Sequence, residues 1–130
     1  MAKFLVIAEK PSVAQSYAKN LSAYKKEDGY LEGESCIISW CLGHLAEYAA
    51  PEHYDERYEN WRFDDLPILP QVWKLKVSRD KKKQFDVLKS LMNRADVDYL
   101  VNGCDAGREG ELIFQRVYDL AGCRKPVKRL

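Results

Sequence analysis

Two short apolar runs, each followed by a tight turn and an amphipathic segment, constrain the fold of this chain more than any other feature. The first run, Lys3 to Ala8, is continuous and rich in β-forming residues, as in a parallel strand buried on both faces. A helical pattern from Pro11 to about Ser22 follows it. The second run, Asp98 to Asn102, leads through a turn at Gly103 to Gly107 into a helix ending near Gly122. This repeated order predicts an α/β fold with a mainly parallel sheet flanked by helices.

The composition fits a single globular domain over residues 1–130. Hydrophobic residues make up 46% and charged residues 32% of the chain, which excludes disordered and low-complexity classes. Because 21 Lys and Arg balance 20 Asp and Glu, the overall charge predicts neither nucleic-acid nor membrane binding. No apolar run approaches the roughly 20 residues of a membrane-spanning helix. The four cysteines form no C-x-x-C pair, so we interpret them as reduced, buried thiols of a cytoplasmic protein.

The chain between the two units is predicted to hold a hairpin, a long loop and a helix. Tyr30–Leu31 and Cys36–Trp40 have the pattern of two short paired strands. From Gly43 to Pro70 the periodicity fades, which predicts an ordered loop. Trp73–Val77 alternates like a half-exposed strand, and Lys81–Arg94 places its apolar residues on one helix face.

A local basic cluster opens that helix. Lys81, Lys82 and Lys83 suit non-specific, salt-sensitive contact with DNA phosphates. A solvated helix end is an equally supported interpretation.

Carboxylates follow both predicted strands. Glu9 closes the first run, Asp105 lies in the turn after the second, and Glu109 and Glu111 open the next helix. Ligands of parallel sheets gather beyond the carboxyl ends of the strands, and carboxylates that meet there usually hold a divalent cation such as Mg²⁺. The alternative is that these residues are turn formers and helix caps. The residues alone favour this alternative.

Three ordered segments resemble one known family. FLVIAEKPS, residues 4–12, and NGCDAGREGEL, residues 102–112, resemble the Toprim domain of topoisomerases, primases and related nucleases, and the EKPS continuation narrows this to type IA DNA topoisomerases. Residues 41–75, CLGHLAEYAAPEHYDERYENWRFDDLPILPQVWKL, are similar to the matching segment of bacterial topoisomerase III. The resemblance implies a Rossmann-like Toprim fold. It also implies a nucleoid-associated enzyme that cuts, passes and reseals single DNA strands.

The resemblance assigns roles to individual residues. It implies that Glu9 is the general acid and base for the sugar hydroxyl and also a metal ligand. It further implies that Lys10 contacts the scissile phosphate. The family's D-x-D-x-E metal pattern is matched at Asp105 and Glu109 and departs at Gly107, where the second aspartate would stand. The implied cofactor is Mg²⁺, with Mn²⁺ as an alternative.

The sequence offers more than one role for each of three further residues. Arg108 is a candidate for orienting the carboxylates or binding DNA phosphate, and a structural ion pair is an equal alternative. Glu111 is not expected to replace the missing aspartate, because two helical residues differ in direction by roughly 200°. His44, a lone histidine after a glycine turn, is more often a structural hydrogen-bonding residue than a catalytic one.

The family's nucleophile is a tyrosine in a different domain, beyond the part that this chain resembles. None of the eight tyrosines here is assigned that role. The strand-like start at Pro126 to Leu130 also favours a piece of a longer protein. We therefore expect the partners to be single-stranded regions of DNA and the remaining domains of the same polypeptide, with no membrane. The chain alone is expected neither to nick nor to relax supercoiled DNA.

Two alternative functions remain open. A primase-type or nuclease-type Toprim phosphotransferase is disfavoured by the EKPS segment and by residues 41–75. A non-catalytic nucleic-acid-binding module that has lost its metal chemistry is favoured by Gly107.

Overall fold

The computed structural model describes residues 2–130. Its strands and helices are, in chain order, β1 (Lys3–Ala8), α1 (Pro11–Leu21), β2 (Lys25–Glu27), β3 (Tyr30–Glu32), β4 (Cys36–Trp40), β5 (Ala46–Tyr48), β6 (Leu75–Val77), α2 (Lys82–Met92), β7 (Val97–Gly103), α3 (Arg108–Leu120) and β8 (Val127–Arg129). No helix among the described residues is both long and apolar enough to span a membrane.

Six of the strands form one sheet in the order β2-β3-β4-β1-β7-β8. The central strand β1 runs parallel to both β4 and β7, and β7 runs parallel to β8. β3 is antiparallel to both of its neighbours, β2 and β4, and its pairing with β4 confirms the predicted hairpin. The mainly parallel sheet flanked by helices is therefore confirmed.

The central strand is buried on both faces, as its continuous apolar run predicts. Leu5 and Ile7 point into a core built with α2 and α3, while Val6 packs on the other face against α1. This alternation follows from the two-residue repeat of a strand. Small side chains on α1, Ala14 and Ala18, let that helix approach the sheet closely. The domain thus has three layers, with the sheet between helices and a hydrophobic core on each side of β1.

The segment predicted as a loop between Gly43 and Pro70 contains a strand. β5 pairs with β6 in a separate antiparallel sheet, with Ala46 opposite Val77 and Glu47 opposite Lys76. The predicted strand at 73–77 is shorter than expected and begins at Leu75. A three-residue strand carries almost no periodic signal, so its partner about 30 residues away decides whether it forms.

The four cysteines are buried and unpaired, as predicted. The last predicted strand is also present, because β8 pairs with β7 at the sheet edge.

Candidate functional site

Three parallel strands end at the same edge of the sheet and deliver the candidate residues there. Ala8, the last residue of β1, lies in register with Trp40 of β4 and with Gly103 of β7. Glu9 is the next residue of the chain and is half-buried. The Gly43 N–H donates to the Glu9 carbonyl oxygen at 3.4 Å, which ties the turn after β4 to the end of β1. The edge is the position at which parallel α/β sheets collect their ligands.

The loop after β7 carries Asp105 and is packed tightly against the first turn of α3. The Gly107 N–H donates to the Asp105 carbonyl oxygen at 2.8 Å. A Cβ atom placed on Gly110 would lie 2.1 Å from that same oxygen and 2.9 Å from two further backbone atoms of Asp105. Only a glycine permits this approach, so Gly110 fixes where the Asp105 backbone lies. The sequence contained one signal for this role, an isolated glycine inside a helical pattern.

Gly107 occupies an open position in the same loop. It is the residue before α3, with φ −161°, which is extended backbone that any residue adopts. A Cβ atom there would have no heavy atom within 4 Å. The departure from D-x-D-x-E is therefore not imposed by the backbone or by crowding.

Glu109 contacts His44, which sequence reasoning assigned a structural hydrogen-bonding role. The His44 Nε2 lies 3.1 Å from the Glu109 Oε1, and because a carboxylate only accepts, Nε2–H is the donor. The Lys81 ammonium donates to the His44 carbonyl oxygen at 3.0 Å. Lys81 thereby anchors the turn after β4, a role that its place in a lysine run did not indicate.

Glu111 is held away from Glu109, in agreement with the sequence argument. Its carboxylate accepts from the Asn102 amide at 3.0 Å and pairs with the Arg129 guanidinium at 3.1 Å. Glu111 therefore links α3 to β7 and β8.

The basic candidates lie at helix starts. Lys10 is the exposed residue before α1, and Arg108 is the exposed first residue of α3. Both helices begin at the sheet edge, where their positive dipole ends favour an anion. Lys82 pairs with Asp86 at 3.1 Å within α2, and Lys83 pairs with Asp28 at 3.3 Å.

Two side chains beneath the edge, buried Cys41 and half-buried Tyr17, were not identified from the sequence as part of the site. Hydrogen bonding to the Cys104 thiol, burial and the nearby Glu9 carboxylate together raise the pKa of the Cys41 thiol well above its usual value. The Tyr17 hydroxyl donates to the Gly103 carbonyl oxygen at 2.8 Å. Burial and the Asp105 carboxylate raise the pKa of Tyr17. Both groups therefore stay neutral, and they support the edge without adding charge.

The donor set suits a hard cation without forming a closed cage. Glu9, Asp105 and Glu109 offer carboxylate oxygens, which Mg²⁺ and Mn²⁺ prefer. Among residues 2–130, no three His, Cys, Asp or Glu side chains converge closely enough to hold an ion. Mg²⁺ commonly takes one or two carboxylates and keeps water or phosphate oxygens for its other positions. The chemistry of the donors fits such an open site.

Comparison with known proteins identifies the family. The chain is 48% identical over 130 residues to "DNA topoisomerase 3" of Bacillus subtilis (strain 168), and that match covers 100% of this chain and 18% of the relative. "DNA topoisomerase 3" of Bacillus thuringiensis (strain Al Hakam) is 49% identical over the same shares, and that of Shouchella clausii (strain KSM-K16) is 48% identical. The chain thus spans about 18% of the length of these relatives. The Toprim domain model matches residues 4–130, and the chain belongs to the Toprim domain family.

Proposed function

We propose that this chain is the ion-binding and acid–base part of a type IA DNA topoisomerase of the topoisomerase III kind. The enzyme would cut, pass and reseal single DNA strands in the cytoplasm. The observation that carries the proposal is the match at 48% identity across all 130 residues to DNA topoisomerase 3. The gathering of Glu9, Lys10 and Asp105 at one sheet edge supports it, because these are the positions to which the family resemblance assigns chemistry.

Glu9 would act as the acid and base of the reaction. Its backbone directly follows β1, and the Gly43 N–H in the turn after β4 donates to its carbonyl oxygen. In its protonated form such a carboxyl group donates a proton to the leaving sugar oxygen during cleavage, and the resulting carboxylate removes that proton from the sugar hydroxyl during resealing, by microscopic reversibility.

Lys10 would hold the scissile phosphate. It is exposed beside Glu9 at the start of α1, where its ammonium and the helix dipole act on the same anion. Arg108, the first residue of α3, would bind a phosphate of the same strand.

A divalent cation would be held by one or two carboxylates among Glu9, Asp105 and Glu109, with water and DNA phosphate completing its shell. When bound, Mg²⁺ neutralises phosphate charge and positions the strand for transesterification. The nucleophilic tyrosine would come from another domain of the longer polypeptide, so the chain alone would leave supercoiled DNA unrelaxed.

A second candidate function is a nucleic-acid-binding module without metal chemistry. It is favoured by Gly107 in place of an aspartate and by the absence of a three-donor cluster among residues 2–130. Localised ion binding at the sheet edge separates the two functions, because helix-capping carboxylates do not concentrate a divalent cation.

A chimeric enzyme tests the leading proposal. Residues 1–130 replace the matching segment of Bacillus subtilis DNA topoisomerase 3, and relaxation of supercoiled plasmid is measured with Mg²⁺. We expect relaxation by the chimera and none by its Glu9→Gln variant, while a Glu56→Gln variant in the exposed loop retains activity. A folded chimera that relaxes no DNA, or a Glu9→Gln chimera as active as its parent, would overturn the proposal.

A further inference from the structure

The contact between His44 and Glu109 joins two loops of the candidate site. We propose that His44 is a positioning residue that holds the Glu109 carboxylate at the sheet edge, where it serves a divalent cation. The inference deepens the function proposed above and rests on it for the identity of the bound ion. Its own basis is the 3.1 Å hydrogen bond from the His44 ring to the Glu109 Oε1.

Glu109 depends on this contact for its orientation. Its side chain is 76% exposed and lies in the first turn of α3, where a glutamate samples several rotamers. The His44 ring supplies a hydrogen-bond donor to one of the Glu109 carboxylate oxygens. A carboxylate held in one rotamer loses less freedom when an ion binds, so its ion affinity is higher.

The backbone around His44 is fixed at three positions. The residue before it, Gly43, adopts φ +66°, a conformation that favours glycine, and hydrogen-bonds to the Glu9 carbonyl oxygen. The residue after it, Leu45, is fully buried in the core. The Lys81 ammonium donates a hydrogen bond to the His44 carbonyl oxygen at 3.0 Å. These contacts fix the backbone from which the His44 ring projects.

The ring nitrogens are arranged for this role. Nε2 faces the carboxylate, and the buried Nδ1 has no hydrogen-bond partner among the described residues. An imidazole with its proton on Nε2 satisfies this arrangement, because an unprotonated Nδ1 leaves no buried N–H unpaired. The contacts therefore assign Nε2–H as the donor to Glu109.

The turn after β4 contacts both segments that carry these carboxylates. Gly43 binds the backbone of Glu9 while the next residue binds the side chain of Glu109. The turn after β4 thus connects the end of β1 to the start of α3. Partners of this kind, which orient an ion's ligands without touching the ion, typically change metal affinity 10–100-fold.

The first test reads the contact itself in the metal-free chain. We would record the Glu109 side-chain carboxyl ¹³C shift in wild type, His44→Ala and His44→Gln, with His53→Ala as the matched control. The signal should move in His44→Ala, return toward wild type in His44→Gln, which keeps a side-chain N–H donor, and stay unchanged in His53→Ala. An unchanged Glu109 signal in His44→Ala would overturn the proposal.

The second test is a double-mutant cycle read with Mn²⁺ alone. The dissociation constant is measured from paramagnetic broadening for wild type, His44→Ala, Glu109→Ala and the double variant. We expect His44→Ala to weaken Mn²⁺ binding about tenfold in the wild-type background and to have no effect once Glu109 is alanine. Equal losses in both backgrounds would show that His44 does not act through Glu109, which refutes the role proposed for it.

Two controls keep the outcomes separate. Thermal unfolding establishes that each variant is folded, and His44→Gln replaces His44→Ala in the cycle, with a smaller expected loss, if the alanine variant is not. If wild type shows no localised Mn²⁺ effect, the ion-binding part of the proposed function fails. The carboxyl shift then decides the His44 contact by itself.

Discussion

Replacing Gly110 by alanine should displace the loop that carries Asp105. The added Cβ would lie 2.1 Å from the Asp105 carbonyl oxygen, whereas real Cβ atoms essentially never approach a heavy atom closer than 3.0 Å. The obstacle is backbone, which has no rotamer to change. Either the loop or the first turn of α3 must therefore move by roughly 1 Å.

Two opposing terms set the size of the effect. Overpacking of this kind typically costs about 1–3 kcal/mol. An alanine in a helix is favoured over glycine by about 1 kcal/mol, which offsets part of that cost. Because the clash involves three backbone atoms of one residue, we expect a net loss of roughly 1–2 kcal/mol in the free energy of unfolding.

The assay is urea denaturation of Gly110→Ala and Gly107→Ala, together with Mn²⁺ broadening at the Asp105 amide. Gly107 is the matched control, because its φ of −161° suits alanine and its Cβ would meet no atom within 4 Å. We expect Gly107→Ala to stay within about 0.5 kcal/mol of wild type and to keep its Mn²⁺ response. If Gly110→Ala proved as stable as Gly107→Ala and kept the same Asp105 response, the close approach would not position the loop.

Two further predictions concern charge. The Arg94 guanidinium pairs with Asp96 at 2.7 Å and with Glu32 at 3.3 Å. Hydrogen bonds from Lys3 and Arg94 lower the pKa of Glu32, and the hydrogen bond from Arg94 lowers the pKa of Asp96. A carboxylate whose pKa is lowered by folding stabilises the fold above its ordinary pKa of about 4, and this stabilisation is lost in acid. Arg94→Gln should therefore lower the free energy of unfolding by about 1–2 kcal/mol at pH 7 and by progressively less below pH 4. Urea denaturation across this pH range measures the difference. A constant difference across that range would contradict the linkage. Gly107→Asp should tighten Mn²⁺ binding severalfold without loss of stability, since the position is open, and unchanged affinity in calorimetry would count against the ion site.

The sheet edge was predictable because its signals are local. A continuous apolar run predicts a strand buried on both faces, and two such strands in parallel must end at the same edge. Glu9 directly follows β1 and Asp105 lies two residues after β7, so the sequence near each strand was enough to place them at the edge. The different directions of Glu111 and Glu109 were predictable as well, because helical geometry alone turns them apart.

The contacts around His44 were not predictable from local pattern. The histidine and Glu109 are separated by 65 residues, and their meeting depends on how α3 packs against the turn after β4. The sequence does not distinguish Lys81 from Lys82 and Lys83, yet it is Lys81 that donates a hydrogen bond to the His44 carbonyl oxygen. Tertiary packing gives identical side chains different partners, and no short-range periodicity encodes that choice.

The open character of the donor set leads to a prediction about linkage between ion and DNA. Since no three-donor cluster occurs among residues 2–130, an ion at this edge would need water or phosphate oxygens to complete its shell. A single-stranded oligonucleotide that supplies a phosphate should therefore tighten Mn²⁺ binding, and Mn²⁺ should tighten oligonucleotide binding by the same factor, because coupling between two ligands is reciprocal. The two factors can be measured independently, by Mn²⁺ broadening with and without oligonucleotide and by fluorescence anisotropy with and without Mn²⁺. Glu9→Gln should reduce both together. Equal oligonucleotide affinity with and without Mn²⁺ would mean that the phosphate and the ion do not share this edge, and the carboxylates would then act as helix caps and turn residues.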